Sequence, residues 1–156
     1  VALGVNLPSA MITGIDKSRF AIKTAIRNAE LNNSVVSFSE ADLFKIKPSQ
    51  IRNTDIIVSN PPYVRNSEKQ YMHRNVLDFE PHGALFVPDD DPLKFYRAIL
   101  DLAVNILNPG GSVWFEINEA MGKSMQELLK SYKFHGIKII KDINGKNRIA
   151  KGKKDA

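Results

Sequence analysis

Residues 55–63 read Asp-Ile-Ile-Val-Ser-Asn-Pro-Pro-Tyr. The run Ile56-Ile57-Val58 is apolar and β-branched without polar alternation, the pattern of a short buried strand. Asn60 and two prolines stop it abruptly, because proline has no N–H to give to a sheet ladder. Working outward, the same kind of unit recurs on both sides. Upstream, Met11–Asp16 reads as a strand ending in an acid, and Ser18 offers an N-cap. Phe20, Ala21, Ile22, Ala25, Ile26 and Ala29 then recur at helical spacing until Asn32-Asn33, and Val35–Ser39 alternates as a strand. Downstream, Asp91-Pro92 predicts a helix start, and Leu93, Tyr96, Ile99, Leu100, Ala103, Ile106 and Leu107 form a stripe closed by Asn108-Pro109-Gly110-Gly111. Ser112–Ile117 reads as a strand, 122–132 as a helix, and 137–143 with 148–151 as a strand pair around Asn144-Gly145. Strands alternating with helices predict an α/β fold whose central strands are parallel.

The chain has 156 residues, 43% of them hydrophobic and 25% charged. That is about one domain's worth of chain, with the composition of a globular protein. No apolar run reaches the roughly 18–20 residues of a membrane span. Cysteine is absent, which excludes disulfide scaffolds, cysteine–zinc sites and thiol nucleophiles, and fits a cytoplasmic location. The net charge of +5 is concentrated at the end, where residues 138–156 carry seven Lys/Arg against two Asp. Such a tail favours contact with RNA or the ribosome by counterion release; it equally suits a solvated edge strand and a frayed terminus.

The chemistry is expected where a parallel strand ends, at Asn60-Pro61-Pro62-Tyr63. The prolines stiffen the backbone and leave the Pro61 carbonyl free to accept, and the Asn60 side-chain oxygen is a second acceptor. Two fixed acceptors beside an aromatic face suit a planar NH2 with two hydrogens to donate. Asn-Pro at a strand end is also an ordinary turn signal.

These residues resemble the Asn-Pro-Pro-Tyr signature of S-adenosylmethionine-dependent methyltransferases that act on planar amino nitrogens. Further blocks resemble the HemK/PrmC family, the protein N5-glutamine methyltransferases of peptide chain release factors. They are Asn60–Val64, Glu80-Pro81-His82-Gly83-Ala84-Leu85, Phe115-Glu116-Ile117, and the closing Asp142-Ile143-Asn144-Gly145-Lys146-Asn147-Arg148, similar to that family's D-x-x-G-x-x-R end. The ordered set covers essentially the whole chain.

The resemblance implies a Rossmann-like fold with strand order 3-2-1-4-5-7-6 and the cofactor S-adenosylmethionine, converted to S-adenosylhomocysteine. It implies that Asp16 binds the cofactor's ribose hydroxyls and that Asp42 and Leu43 lie beside its adenine. Relatives often carry Trp where Leu43 stands. Asn60, Pro61, Pro62 and Tyr63 form the glutamine-amide site, with Asn60, Pro61 and Tyr63 catalytic and Asn60 also near the cofactor. Taken alone, Asp16 and Asp42 read as a helix N-terminal acid and a turn acid. The implied activity is methyl transfer to the glutamine of the Gly-Gly-Gln loop of release factors, in translation termination. N6-adenine methylation of DNA or RNA through the same four residues is the alternative enzyme reading, and an RNA- or ribosome-binding fragment the non-enzymatic one.

The remaining constellations are bland. His73, His82 and His135 lack metal-ligand spacing, and no metal is expected. Asp89-Asp90-Asp91 reads as a solvated helix start capped by Asp91, Glu80 as a buried carboxylate bracing the loop from Val64 to Pro88, and Trp114 and Phe115 as core. The family's first strand, its glycine-rich cofactor turn and its helical N-terminal domain have no counterpart in residues 1–156. The expectation is therefore a partial catalytic domain over 1–156 that is inactive by itself, with an edge-paired homodimer as the way to satisfy its open strand edges.

Overall fold

A computed structural model describes residues 1–155. The chain divides into two compact units, Val1–Lys47 and Pro48–Ala156.

The first unit contains helix α1 (Ala2–Asn6), strand β1 (Thr13–Asp16), helix α2 (Arg19–Leu31) and strand β2 (Ser37–Glu40). β1 and β2 are parallel, from Thr13 opposite Ser37 to Asp16 opposite Glu40. Gly14 permits this pairing to be close, since a Cβ there would lie 2.8 Å from the Phe38 ring. The predicted cap is present: Ser18 Oγ accepts from the Ala21 N–H at 3.3 Å. The predicted apolar stripe of α2 is only partly covered. Ala29 is buried and Ile22 and Ala25 are half-buried, but Phe20 is 82% exposed. Two four-residue strands offer too little surface to cover a helix of 13 residues.

The second unit begins with a 3₁₀ helix, Pro48–Gln50, then β3 (Thr54–Ser59) and β4 (Val64–Arg65), followed by a further 3₁₀ helix, Asn66–Tyr71. Short helices α3 (Arg74–Phe79) and α4 (His82–Leu85), strand β5 (Phe86–Val87), helix α5 (Lys94–Ile106) and strand β6 (Leu107–Glu116) come next. Helix α6 (Gly122–Ser131) and strands β7 (His135–Lys141) and β8 (Asn147–Lys153) complete it. The four-stranded sheet has the order β3-β6-β8-β7. β3 runs parallel to β6, and β8 is antiparallel to both β6 and β7. The separate orders β2-β1 and β3-β6-β8-β7 match the segments 3-2 and 4-5-7-6 of the strand order that the family resemblance implies.

Tyr96 and Leu100 of α5, Met125 and Leu129 of α6, and Val113, Phe115 and Ile117 at β6 are fully buried and form the core. Tyr96 and Phe115 meet edge to face, with ring centroids 5.4 Å apart. The alternate residues of the same strands lie on the opposite face. There Ile56 and Val58 are 59% and 61% exposed, so the strand read as buried is covered on one side only. Trp114 shares that side of β6 and is half-buried, beneath Lys151 Nζ at 4.3 Å from its ring. Phe115 is core as predicted.

Three local expectations are corrected. Asp91 does not cap α5: the N-cap is Leu93, without a side-chain bond, and Asp91 instead pairs with Arg97. The stretch 64–88 is a series of short elements closed by parallel pairing of Val64 with Phe86 and Arg65 with Val87. The basic end is not a frayed tail. β8 lies inside the sheet, and Lys154 Nζ donates to the carbonyls of Val104 and Leu107 at 2.9 and 2.7 Å, satisfying the C-terminal end of α5. Lys146 is ion-paired with Glu119 at 2.7 Å. Lys146, Lys151 and Lys154 thus each have a partner in the second unit.

Candidate active site

The turn Asn60-Pro61-Pro62-Tyr63 leaves the carboxyl end of β3. Asn60 is exposed, Pro61 is buried, and Pro62 and Tyr63 are half-buried. This places a polar side chain in solvent on a backbone stiffened by consecutive prolines and anchored at Pro61.

Tyr63 is held at its far end. Its hydroxyl donates to Glu116 Oε1 at 2.8 Å, and Glu116 is the last residue of β6, the neighbour of β3. The Tyr96 hydroxyl of α5 donates to the backbone carbonyl of the same Glu116, also at 2.8 Å. Burial, followed by the bond to the Glu116 carboxylate and its charge, raises the Tyr63 phenol above its ordinary pKa, while Arg148 acts in the opposite direction.

Arg148 connects this corner to the turn between β7 and β8. Its Nε and Nη2 donate to Asp142 Oδ2 at 3.2 and 3.1 Å. Asp142 Oδ1 accepts from the Asn144 and Lys146 backbone N–H groups at 2.9 and 3.0 Å. Those bonds, the Lys146 N–H foremost and Arg148 after it, hold the Asp142 carboxyl below its ordinary pKa. Gly145 takes φ +76°, a conformation that disfavours a side chain. The spacing of the Asp142–Arg148 block now has a physical reason: an acid to seat the turn, a glycine to make it, and an arginine two residues into β8 within reach of both Asp142 and Tyr63.

The segment after the turn is pinned as well. Glu68 accepts from the Arg65 backbone N–H and from Arg65 Nη2, each at 3.0 Å, and from Asn118 Nδ2 at 3.3 Å. Asp89 accepts from the Ser67 N–H at 3.1 Å and from its hydroxyl, which lowers the Asp89 pKa. Glu80, read as the buried brace of this segment, is exposed at the end of α3. Glu68 takes that part.

The other sequence-predicted residues lie in the first unit. Asp16 ends β1 and Asp42 follows β2, so the parallel pairing puts both at the carboxyl end of that small sheet. Asp16 Oδ1 accepts from the Ser18 N–H at 2.7 Å and Asp42 Oδ1 from the Phe44 N–H at 3.0 Å. Both acids therefore do seat local turns, as their plainest reading holds. Leu43 is half-buried. Among the described residues no three His, Asp or Glu side chains cluster as metal ligands would. Glu116, Arg148 and Glu68 were missed as site residues; the sequence signal available was an acid closing an apolar strand and the fixed Asp–Gly–Arg spacing.

Known proteins bear on this arrangement in three ways. The sequence profile described as "Methyltransferase small domain" matches residues 1–79. Release factor glutamine methyltransferase of Bacteroides thetaiotaomicron is 46% identical over 149 residues, covering 96% of this chain and 54% of that protein. The protein of the same name from Flavobacterium psychrophilum is 46% identical over 151 residues, covering 97% and 53%. The chain thus spans about half the length of the curated relatives it matches. Among solved structures, a methyltransferase from Pyrococcus furiosus superposes with a TM-score of 0.66 at 19% identity, covering 99% of this chain and 68% of that one. The 16S rRNA N2 G1207 methyltransferase of Thermus thermophilus gives a TM-score of 0.60 at 18% identity, covering 93% and 32%. The fold is accordingly the Rossmann-like methyltransferase fold. With the profile matched over 1–79 and homology to release factor glutamine methyltransferases over nearly its whole length, the chain belongs to the methyltransferase small domain family.

Proposed function

We propose that the intact protein transfers a methyl group from S-adenosylmethionine to the side-chain amide nitrogen of the glutamine in the Gly-Gly-Gln loop of peptide chain release factors. The observation that carries this reading is the exposed Asn60 on a proline-stiffened turn at the carboxyl end of a parallel strand, in a chain 46% identical to proteins named for that reaction.

The acceptors fit the groups they would meet. Ser18 occupies one Asp16 oxygen, and Oδ2 is the acceptor for a ribose hydroxyl. Asp42 and Leu43 offer an acceptor and an apolar contact to an adenine. Bound S-adenosylmethionine supplies the electrophilic methyl group. At the substrate side, Asn60 Oδ1 and the Pro61 carbonyl accept the two amide N–H hydrogens and turn the nitrogen toward its partner. An amide nitrogen is a poor nucleophile because its lone pair is delocalised into the carbonyl. Both acceptor contacts strengthen as the nitrogen gains positive charge, so they stabilise the transition state more than the ground state. Holding the amide in a near-attack geometry contributes about 7–11 kcal/mol when alignment is good. No side chain need take a proton first, because the proton leaves after the methyl arrives.

Asp16→Ala in the intact protein is expected to weaken cofactor binding about tenfold or more, since hydrogen bonds to a charged acceptor are lost. Isothermal calorimetry showing unchanged affinity would leave Asp16 with its turn-seating role alone. For residues 1–156 by themselves we propose no methyl transfer and weak cofactor binding at most. In support, β3 is an outer strand of its sheet among the described residues, leaving one edge of its backbone unpaired within that sheet. Equilibrium dialysis checks this, and micromolar binding would contradict it.

A further inference from the structure

Three strand ends meet around the Tyr63 hydroxyl, and none of the residues there is placed by the reaction itself. Glu116 stands at the end of β6, which is paired on both sides, by β3 and by β8. Its carbonyl is tied to Tyr96, whose ring packs on Phe115 in the core. Arg148 is fixed at its carbonyl by the Ile117 N–H at 2.9 Å and at its guanidinium by Asp142. Asp142 is in turn fixed by two turn N–H groups. These are anchors on regular elements, whereas Tyr63 sits on a loop.

We propose that Glu116 and Arg148 are positioning residues that set the orientation of Tyr63 and, through it, of the turn Asn60–Tyr63 that receives the substrate amide. The proposal rests on the reading of that turn as the amide site. Its physical content is simple. Pro61 and Pro62 restrict the backbone entering Tyr63, so the main freedoms left are the two side-chain torsions of the tyrosine. A hydrogen bond at the far end of the ring fixes where the long axis of the ring points, which is what the first torsion sets, and a carboxylate acceptor makes that bond stronger than a neutral one. Arg148 keeps the carboxylate from being an isolated charge at the rim of the core. Asp142, Arg148 and Glu116 alternate in sign, so the guanidinium offsets one of the two carboxylate charges that act on it. A solvated surface carboxylate would need neither the tyrosine beside it nor the second tyrosine on its carbonyl.

The test uses the intact protein with fluorotyrosine incorporated at position 63, and single-turnover methylation of a release factor. Fluorine NMR should show one ordered Tyr63 signal. Glu116→Ala should broaden it and lower the phenol's ionisation pH, because an acceptor and a negative charge are lost. Arg148→Ala should raise that pH, because a positive charge is lost. In kinetics, Tyr63→Phe and Glu116→Ala should each slow the step about tenfold with the cofactor KM unchanged. The double variant should be no slower than the slower single one, and Glu116→Gln, which keeps an acceptor oxygen, should restore most of the rate. A Tyr63 signal indifferent to Glu116→Ala, or fully additive rate losses, would overturn the proposal. If the unsubstituted protein methylates no release factor, the proposed function fails while the fluorine signal still decides whether Glu116 and Arg148 hold Tyr63.

Discussion

Asn60→Ala in the intact protein is expected to lower the single-turnover methylation rate about 100-fold or more while leaving cofactor affinity within a few-fold, by analogy with the loss of one oxyanion-hole hydrogen bond. The asymmetry follows from where the side chain works. Asn60 is exposed at the end of β3, so its removal opens no cavity and leaves no buried group unpaired. The prolines that follow hold the backbone trace without it. What is lost is one of two acceptors that keep the amide turned and favour charge building on its nitrogen. Rate, more than binding, therefore carries the loss. A near-normal single-turnover rate would remove Asn60 from the reaction.

Phe115→Ala is expected to destabilise the second unit by about 3–5 kcal/mol, the usual cost of deleting a large buried aromatic. Phe115 has no solvent exposure, and it meets Tyr96 edge to face. The substitution leaves a cavity under β6 and removes an aromatic pair worth roughly a further 0.5–1.5 kcal/mol. It also loosens Tyr96, whose hydroxyl holds the Glu116 carbonyl, so Tyr63 should lose order before the unit unfolds. Trp114, the single tryptophan, adjoins the site of substitution and reports urea unfolding by its fluorescence. A midpoint shift equivalent to less than about 1 kcal/mol would mean that the space under β6 is refilled by neighbours.

The sequence was legible where a residue's local chemistry is strong. Ser18 capping α2, the Asn144-Gly145 turn and the apolar stripe of α5 are short-range signals, and each stands in the structure as read. The order β3-β6-β8-β7 followed from the family resemblance and not from periodicity, which is silent on strand order. Long-range partners were harder. Asp91 has the residue type of a cap and is followed by proline, yet Arg97 takes its carboxylate. Glu80 looked buried because it precedes proline in an apolar block, but Glu68 carries the brace, through Arg65 and Asn118, fifty residues apart from it in one case. Ile56 and Val58 read as buried because β-branched runs usually are, and nothing local tells how much of a sheet is covered.

The site shows the same division. Asn60–Tyr63 reads as the candidate site from its two prolines after an apolar strand taken together with the family resemblance, since Asn-Pro at a strand end is by itself an ordinary turn signal. Glu116 and Arg148 did not, because a strand-ending acid and a basic residue in a basic tail each have an ordinary explanation. Only the fold brings the carboxylate within 2.8 Å of Tyr63.

The central claim is that the turn Asn60–Tyr63 presents a glutamine amide for methylation. Its most direct test incubates the intact protein with S-adenosylmethionine, a release factor and duplex DNA together, followed by tandem mass spectrometry and nucleoside analysis. The account predicts that the Gly-Gly-Gln peptide gains the mass of one methylene unit, localised to the glutamine side chain, with the DNA unchanged. Methyladenine in the DNA, with an unmodified glutamine, would contradict it.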